Sequence, residues 1–307
     1  LPGPPPEGEG KIARYAHVTD YHKVMKKRLF ELADALRADH PEHIYRVCVD
    51  TAPLLEREHA QRAGIGWTGK HTLTLNRDRG SHLMLGAVVT TLHIEPDEPA
   101  IDHCGTCTRC IDACPTDAIT PHSVDATRCI SYLTIEHRSA IPRKFYEAIG
   151  DWLYGCDICQ DVCPFVQKAE ATSSTSPGRE PGVGCGDGEG AALAKRGRPL
   201  PGPPPMGEGD ELPTPLATGY GWTFESLDLL DVMGWTEEDR RAAFRGSAMK
   251  RAKLGMMKRN AIIVAGNRLR DRDDPALRAA IERLADDDER IVRQTACEVL
   301  AEIPRGR

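Results

Sequence analysis

Eight of the chain's 11 cysteines fall between residues 104 and 163, at spacings that suit metal chemistry. Cys104, Cys107, Cys110 and Cys114 form an unbroken C-x2-C-x2-C-x3-C run closed by Pro115. Cys156, Cys159 and Cys163 repeat its second half and are closed by Pro164, while Cys129 stands between the groups. Three thiolates this close together can wrap one face of a cubane, and the following proline turns the chain away. In such runs the fourth cysteine ligates a second cluster. Two [4Fe–4S] clusters need eight thiolates, and eight are available. The expected partition puts Cys104, Cys107, Cys110 and Cys163 on one cluster, with Cys114, Cys129, Cys156 and Cys159 on the other. Structural zinc is the alternative, because C-x2-C pairs also build zinc sites. Zinc, however, requires neither the third cysteine at x2 nor the C-x3-C-P ending. Disulfides fit least, since no signal peptide is evident and the spacing is a poor disulfide framework.

At 307 residues the chain has room for two or three domains to position these ligands. Its hydrophobic fraction of 40% supports real cores, and no apolar run reaches membrane-spanning length. The expectation is a chain without a membrane partner, in the reducing cytoplasm that oxygen-sensitive clusters need. A net charge of −6 argues against general nucleic-acid affinity, but it hides an asymmetry. From Phe244 to Arg270 there are eight Lys/Arg and no Asp or Glu, between acidic flanks at Glu225–Asp239 and Asp271–Glu289. A basic island in an acidic protein points to a local polyanion contact. Cys48 and Cys297 read as buried small apolar residues, and Cys185 also has no partner pattern.

Residues 1–10 (LPGPPPEGEG) read as a disordered Pro/Gly tract, and nearly the same words recur at 200–209 within a longer Ser/Gly/Pro stretch. The expected organisation is α+β: a catalytic α/β domain at 11–100 and a ferredoxin-like two-cluster domain at 101–170. A low-complexity linker follows at 171–217, then a helical domain at 218–307. Val24, Leu29, Leu32, Ala33 and Leu36 have helical spacing within 20–38. Residues 44–49 read as a strand delivering Asp50, 53–63 as a short helix, and 72–75 and 82–92 as strands. Gly64 to Lys70 is a glycine-dense loop that allows close backbone approach to a ligand, though it is no nucleotide fingerprint. Helices are expected at 258–269, 275–285 and 287–303, the last with a stripe of Ile291, Val292, Ala296, Val299 and Leu300. That pattern is similar to the second helix of a HEAT repeat.

Several segments together resemble epoxyqueuosine reductase, the cobalamin-dependent family of tRNA queuosine biosynthesis. They are RYAHVTDYHKVMKKRL, VDTAPLLEREHAQRAGIGWTGKHTL, CGTCTRCIDACPTDAI, CISYLTIEHR, YGCDICQDVCP and FRGSAMKRAKLGMMKRNAIIVAGN. The resemblance covers about 11–170 and 222–307, and implies reduction of the epoxide of epoxyqueuosine at the tRNA wobble position to queuosine. It implies cobalamin beside two [4Fe–4S] clusters, an external electron donor, and an anticodon stem-loop bound by a HEAT-like tail. Asp50, in D-T-A-P, matches the family's acid. An acid that protonates a leaving oxygen must hold its proton near neutral pH, so Asp50 is expected to be desolvated. Its alternative is a helix N-cap. Ser131 and Tyr132 follow Cys129 in C-I-S-Y, which lies against cobalamin in the family. His22, Gly66, Trp67, Gly69, Lys70 and Asp157 complete the expected cofactor contacts. Asp20-Tyr21-His22 lacks the glycine of a D-x-H-x-x-G motif, which fits cobalamin bound base-off with no protein His on cobalt. Arg245, Lys250, Arg251, Lys253, Lys258 and Arg259 are the expected phosphate contacts.

The chain departs from the family in two places. Members carry a longer segment before R-Y-A…D-Y-H, so the expectation is either that the sequence is a fragment or has a misannotated start, or that the cobalamin domain is incomplete. They mostly have Asn where this chain has His71. Two other classes compete: a different cobalamin/iron–sulfur reductase such as a reductive dehalogenase, and a non-enzymatic two-cluster electron carrier. The basic helical tail argues against the first, and the short front leaves room for the second.

Overall fold

A computed structural model describes residues 5–174 and 225–304. The chain enters as strand β1 (Glu9–Ile12), so the expected disordered tract ends in ordered sheet. Helix α1 (Tyr21–Asp39) starts at Asp20, whose side chain accepts from the backbone N–H of His22. Only Ala33 of its apolar positions is buried, and Leu32 is exposed, so α1 lies on the surface. Strand β2 (Tyr45–Cys48) follows, then helix α2 (Glu56–Arg62), a short hairpin of β3 (Trp67–Thr68) and β4 (Thr74–Leu75), and β5 (Ala87–Thr90). β2 and β5 pair antiparallel, Tyr45 opposite Thr90 and Cys48 opposite Ala87. The second expected strand is therefore shorter than 82–92.

The cysteine region is built from short pieces. Helix α3 (Arg109–Asp112) leads to the hairpin β6 (Ile119–Thr120) and β7 (Ser123–Val124). Helix α4 (Ile130–Ile135) begins directly after Cys129. After α5 (Tyr146–Ile149) and β8 (Trp152–Tyr154) come α6 (Ile158–Asp161) and α7 (Pro164–Ser174). The expected linker at 171–217 lies, from residue 175 on, outside the described residues. Beyond it are β9 (Ser226–Asp228), α8 (Leu229–Gly234), α9 (Glu237–Ala243) and the longer helices α10 (Leu254–Asp271), α11 (Pro275–Leu284) and α12 (Arg290–Glu302).

A three-stranded sheet ties the front, the cysteine region and the tail together. Central β1 runs parallel to β8 and antiparallel to β9. Gly10 sits where a Cβ would lie 2.7 Å from Leu153 Cβ, so a larger residue would force the layers apart. One apolar core continues from Ile12 and Ala16 through Leu133, Tyr146 and Leu153 to Met257, Ile262, Leu277 and Val292. The helical tail is packed on the cysteine region rather than standing off it. Of the α12 stripe, Val292, Ala296 and Val299 are buried, with Ile291 and Leu300 partly buried beside them. Cys48 is buried as expected; Cys297 is exposed, and Cys185 lies outside the described residues. Among the described residues, no helix is long and apolar enough to cross a membrane.

Candidate functional site: two thiol sets and an aspartate

Cys104, Cys107, Cys110 and Cys163 line one recess of about 390 Å3, together with Lys70, His103 and Phe165. The other four thiols lie nearby: Cys159 feels the charge of Cys129, of Cys110 from the first set and of Cys114, and Cys156 that of Cys159 and Cys129. Burial pushes the Cys110 thiol up to about 11 and raises Cys156, Cys159 and Cys163 as well. Without iron these groups hold their protons, so metal binding has to release them. Lys70 Nζ donates to the carbonyls of Gly105 (2.7 Å) and Cys107 (2.9 Å), which fastens the first cysteine loop. The buried Trp67 indole donates to Cys104 Sγ at 3.4 Å, and the Ala118 amide donates to Cys114 Sγ at 3.3 Å. Such bonds to ligating sulfur adjust a cluster's potential.

Asp50 lies two residues past the end of β2, in the left-handed region at φ 48°. A non-glycine residue pays of order 1 kcal/mol or more for this, and such strain gathers at functional sites. It is not a helix cap: the N-cap of α2 is Leu55, without a side-chain cap. Nor is it desolvated as expected, since its side chain is 43% exposed. Its Oδ2 lies 2.9 Å from His22 Nε2, and its backbone N–H donates to Glu56. The other ring nitrogen of His22 lies 2.7 Å from Asp20 Oδ1. Asp20 is buried, and Lys250 Nζ reaches its second oxygen at 2.6 Å. Burial pushes the Asp20 carboxyl up, but Lys250 and His22 outweigh it and hold the carboxyl below its usual range. Burial and the nearby Asp50 carboxylate raise the Tyr21 hydroxyl, which hydrogen-bonds Asp50.

Tyrosines join the two parts of the site. Tyr21 meets Tyr15 edge-on at 6.3 Å, and the Tyr15 hydroxyl donates to that of Tyr154 at 3.1 Å. Tyr154 is two residues before Cys156. Asp20 and Tyr21 entered the sequence reading only as part of a D-x-H pattern, and no sequence signal pointed to Tyr15 or Tyr154, because their contacts here are tertiary.

The remaining expected contacts divide. Ser131 is half-buried and Tyr132 exposed, at the start of α4. Gly66 is explained by the hairpin, since a Cβ there would lie 2.2 Å from the Leu75 carbonyl oxygen. A Cβ on Gly69 would lie 2.6 Å from Leu75 Cδ1. Together with Trp67 and Lys70, these residues serve the cysteine recess rather than a cleft at Asp50. Asp157 is 3% exposed and accepts from the Arg14 backbone N–H at 2.7 Å. Burial pushes its carboxyl up to about 6.

The basic island also divides. Arg245, Lys250, Arg251 and Lys253 are exposed, with Arg251 paired to Glu136. Lys258 is paired with Asp287 and mostly covered. Arg259 is not a surface cation. It is fully buried and donates to the carbonyls of Leu133 (2.8 Å), His137 (2.6 Å) and Ser139 (2.6 Å) at the end of α4. Burial lowers its guanidinium to about 10. A buried carbonyl left unpaired costs about 1–3 kcal/mol. Arg259→Leu should therefore lower the unfolding free energy by roughly 3 kcal/mol or more, read by denaturant titration. An unchanged midpoint with weaker RNA binding would return Arg259 to the surface role.

Residues 103–166 match a family described as a 4Fe-4S double cluster binding domain, and residues 2–51 one described as epoxyqueuosine reductase QueG, DUF1730. The first match puts two iron–sulfur clusters, rather than zinc, on this cysteine pattern. An epoxyqueuosine reductase from Xanthomonas campestris is 52% identical over 162 residues, covering 52% of this chain and 46% of its own length. One from Pseudomonas aeruginosa is 36% identical over 259 residues, covering 83% of this chain and 60% of its own. A crystal structure of epoxyqueuosine reductase with an epoxyqueuosine-modified tRNA-Tyr stem loop superposes with a TM-score of 0.73 at 27% identity. That likeness covers 95% of this chain and 66% of the other. The chain thus spans about half the length of the Xanthomonas relative and less than two thirds of the Pseudomonas one.

Proposed function

The chain is homologous to the epoxyqueuosine reductases, and we propose that it carries out their reaction, reducing the epoxide of epoxyqueuosine at the tRNA wobble position to the alkene of queuosine. One observation carries the reading. The cysteine region and Asp50 are built on one body, with Tyr154, Tyr15 and Tyr21 spanning from beside Cys156 to the Asp50 carboxyl. Electrons arriving at the clusters from an external donor are thereby delivered next to a proton donor.

The reaction takes two electrons and two protons and releases water. Asp50 gives a proton to the departing epoxide oxygen, and its exposure leaves room for a substrate to reach it. Cobalamin, when bound, supplies a low-valent cobalt centre that can deliver electrons to the epoxide carbon. Of the chain's residues, His22, Asp50, Ser131 and Tyr132 remain open to such a large flat ligand. Both ring nitrogens of His22 are already engaged by carboxylates, so His22 would flank cobalamin rather than ligate its metal. The cluster ligands are Cys104, Cys107, Cys110 and Cys163 on one side, with Cys114, Cys129, Cys156 and Cys159 on the other.

Helices α10–α12 and the turn before them form a HEAT-like platform for the anticodon stem-loop, with Arg245 and Lys253 as exposed phosphate contacts. A base modified by an enzyme generally leaves its stack to enter a pocket.

The test is anaerobic protein with reconstituted clusters and cobalamin, given a low-potential reductant and epoxyqueuosine-containing tRNA. Queuosine formation is expected. Reversing Arg245 and Lys253 to Glu should weaken binding across tRNA sequences. It should also flatten the salt dependence, by roughly 0.7–0.9 in the slope of log K against log salt per lost contact. Wild-type protein that reduces clusters but neither binds tRNA nor forms queuosine would leave the electron-carrier reading in its place.

A further inference from the structure

Asp50 is poorly held by its own segment. Residues 50–55 form no helix or strand, and Asp50, Thr51, Pro53 and Leu55 are exposed. The backbone at Asp50 is in the left-handed region, with its amide tied to Glu56. Its carboxyl is instead held from α1, by the hydroxyl of Tyr21 and by His22 Nε2 at 2.9 Å. His22 is in turn gripped from both sides. Asp20 Oδ1 lies 2.7 Å from Nδ1, and the Tyr21 ring stacks on the imidazole at 4.1 Å.

Asp20 is where the far end of the chain enters. It is 1% exposed, yet it carries a charge and keeps both oxygens occupied. Lys250 takes the second oxygen from 230 residues away, in the 3-10 turn Ala248–Arg251. The contact is more than one ion pair, since the Asp20 amide donates to the Gly246 carbonyl at 2.7 Å and Thr19 bridges Ser247. A buried carboxylate with one partner removed is costly, so Asp20 is committed to Lys250 and His22 together. Both ring nitrogens of His22 thus face carboxylate oxygens, Nδ1 that of Asp20 and Nε2 that of Asp50, where one proton can lie between ring and carboxyl.

We propose that Lys250, Asp20 and His22 form a positioning chain that seats the Asp50 carboxyl, so that the basic C-terminal segment and not the Asp50 loop keeps the acid in place. The proposal rests on the assignment of Asp50 as the acid. When Asp50 gives the shared proton to the leaving oxygen, the Asp50–His22 pair is left as a carboxylate facing a neutral ring and regains one proton from solvent. The charged and titratable groups facing His22 are Asp20, Tyr21, Asp50 and, through Asp20, Lys250; Glu56 faces it across Asp50. Lys250, counted by its charge as a phosphate contact, acts through Asp20 instead.

The test uses Lys250→Met, because the Lys250 side chain is 59% exposed and its loss is felt at the buried Asp20 carboxyl that it pairs, with a denaturant midpoint to show that the variant is folded. Amide hydrogen exchange over residues 49–56 is followed in the full cluster-loaded chain without tRNA, and kcat and KM for tRNA are measured beside it. In Lys250→Met, exchange over 49–56 should rise about tenfold and kcat fall roughly 10- to 100-fold, the usual loss for a displaced catalytic group. KM should move little, and Lys250→Arg should restore both readings. His22→Ala should raise the same exchange. If Lys250→Met raises KM while exchange and kcat keep their wild-type values, Lys250 is a phosphate contact and the chain is not a positioning device. If exchange rises in Lys250→Met but wild-type protein forms no queuosine, the positioning stands and the functional reading fails.

Discussion

Asp50→Asn is expected to keep both clusters and tRNA binding while cutting epoxide reduction by about 10²–10⁴-fold, the usual worth of a positioned general acid. The substitution is nearly isosteric. The Asn amide carries both a donor and an acceptor for His22 Nε2, and Glu56 can still hold the backbone amide, so the loop has no reason to move. What disappears is the transferable proton on the group facing the leaving oxygen. Single-turnover assays with pre-reduced protein isolate that step from electron supply. A rate equal to wild type would place the proton source elsewhere, on Tyr21 or on solvent. The carboxyl is 43% exposed within this chain. The covering has to come from what binds over Asp50.

What the sequence made legible was whatever depends on near neighbours. The cysteine runs put four thiols on one recess because three of them lie within seven residues on a tight turn. Helix α11 begins where Asp274 caps it and Pro275 stands at its first turn, both readable in the chain. The α12 stripe faces the core as its spacing requires. The errors share one cause, which is that charge and glycine counts say nothing about what lies across the fold. Arg259 belongs to a basic run, yet the carbonyls ending α4 draw it inside. Gly66 and Gly69 were read as a ligand loop from their number alone, and across the fold Leu75 also requires that they lack side chains. The first ten residues looked disordered by composition, and β1 forms there because β8 and β9 supply edges on both sides. Asp50 was marked by its place at the end of a strand and given its role by a family motif, while the His22 and Lys250 that define its surroundings are distant in sequence.

Cys129→Ala is the second large effect expected, and it tests how the thiols are divided. Cys129 is the only one of the eight outside a C-x2-C run, held by its amide bonds to the Asp125 and Ala126 carbonyls at the N-cap of α4. Removing it opens one corner of the cluster shared with Cys114, Cys156 and Cys159 and touches nothing in the Cys104–Cys107–Cys110–Cys163 recess. After anaerobic reconstitution, iron and sulfide should fall from about eight of each per chain to about four. The surviving signal should keep the wild-type potential, because Trp67 still donates to Cys104 Sγ. Epoxide reduction should be lost with the missing cluster, since Tyr154 and the path toward Asp50 start beside Cys156, on the damaged side. Cys107→Ala gives the converse result, loss of the recess cluster with the other retained. If either variant lost both clusters, the two sets would be one cooperative unit. Zinc without acid-labile sulfide in the wild-type protein would overturn the redox function altogether.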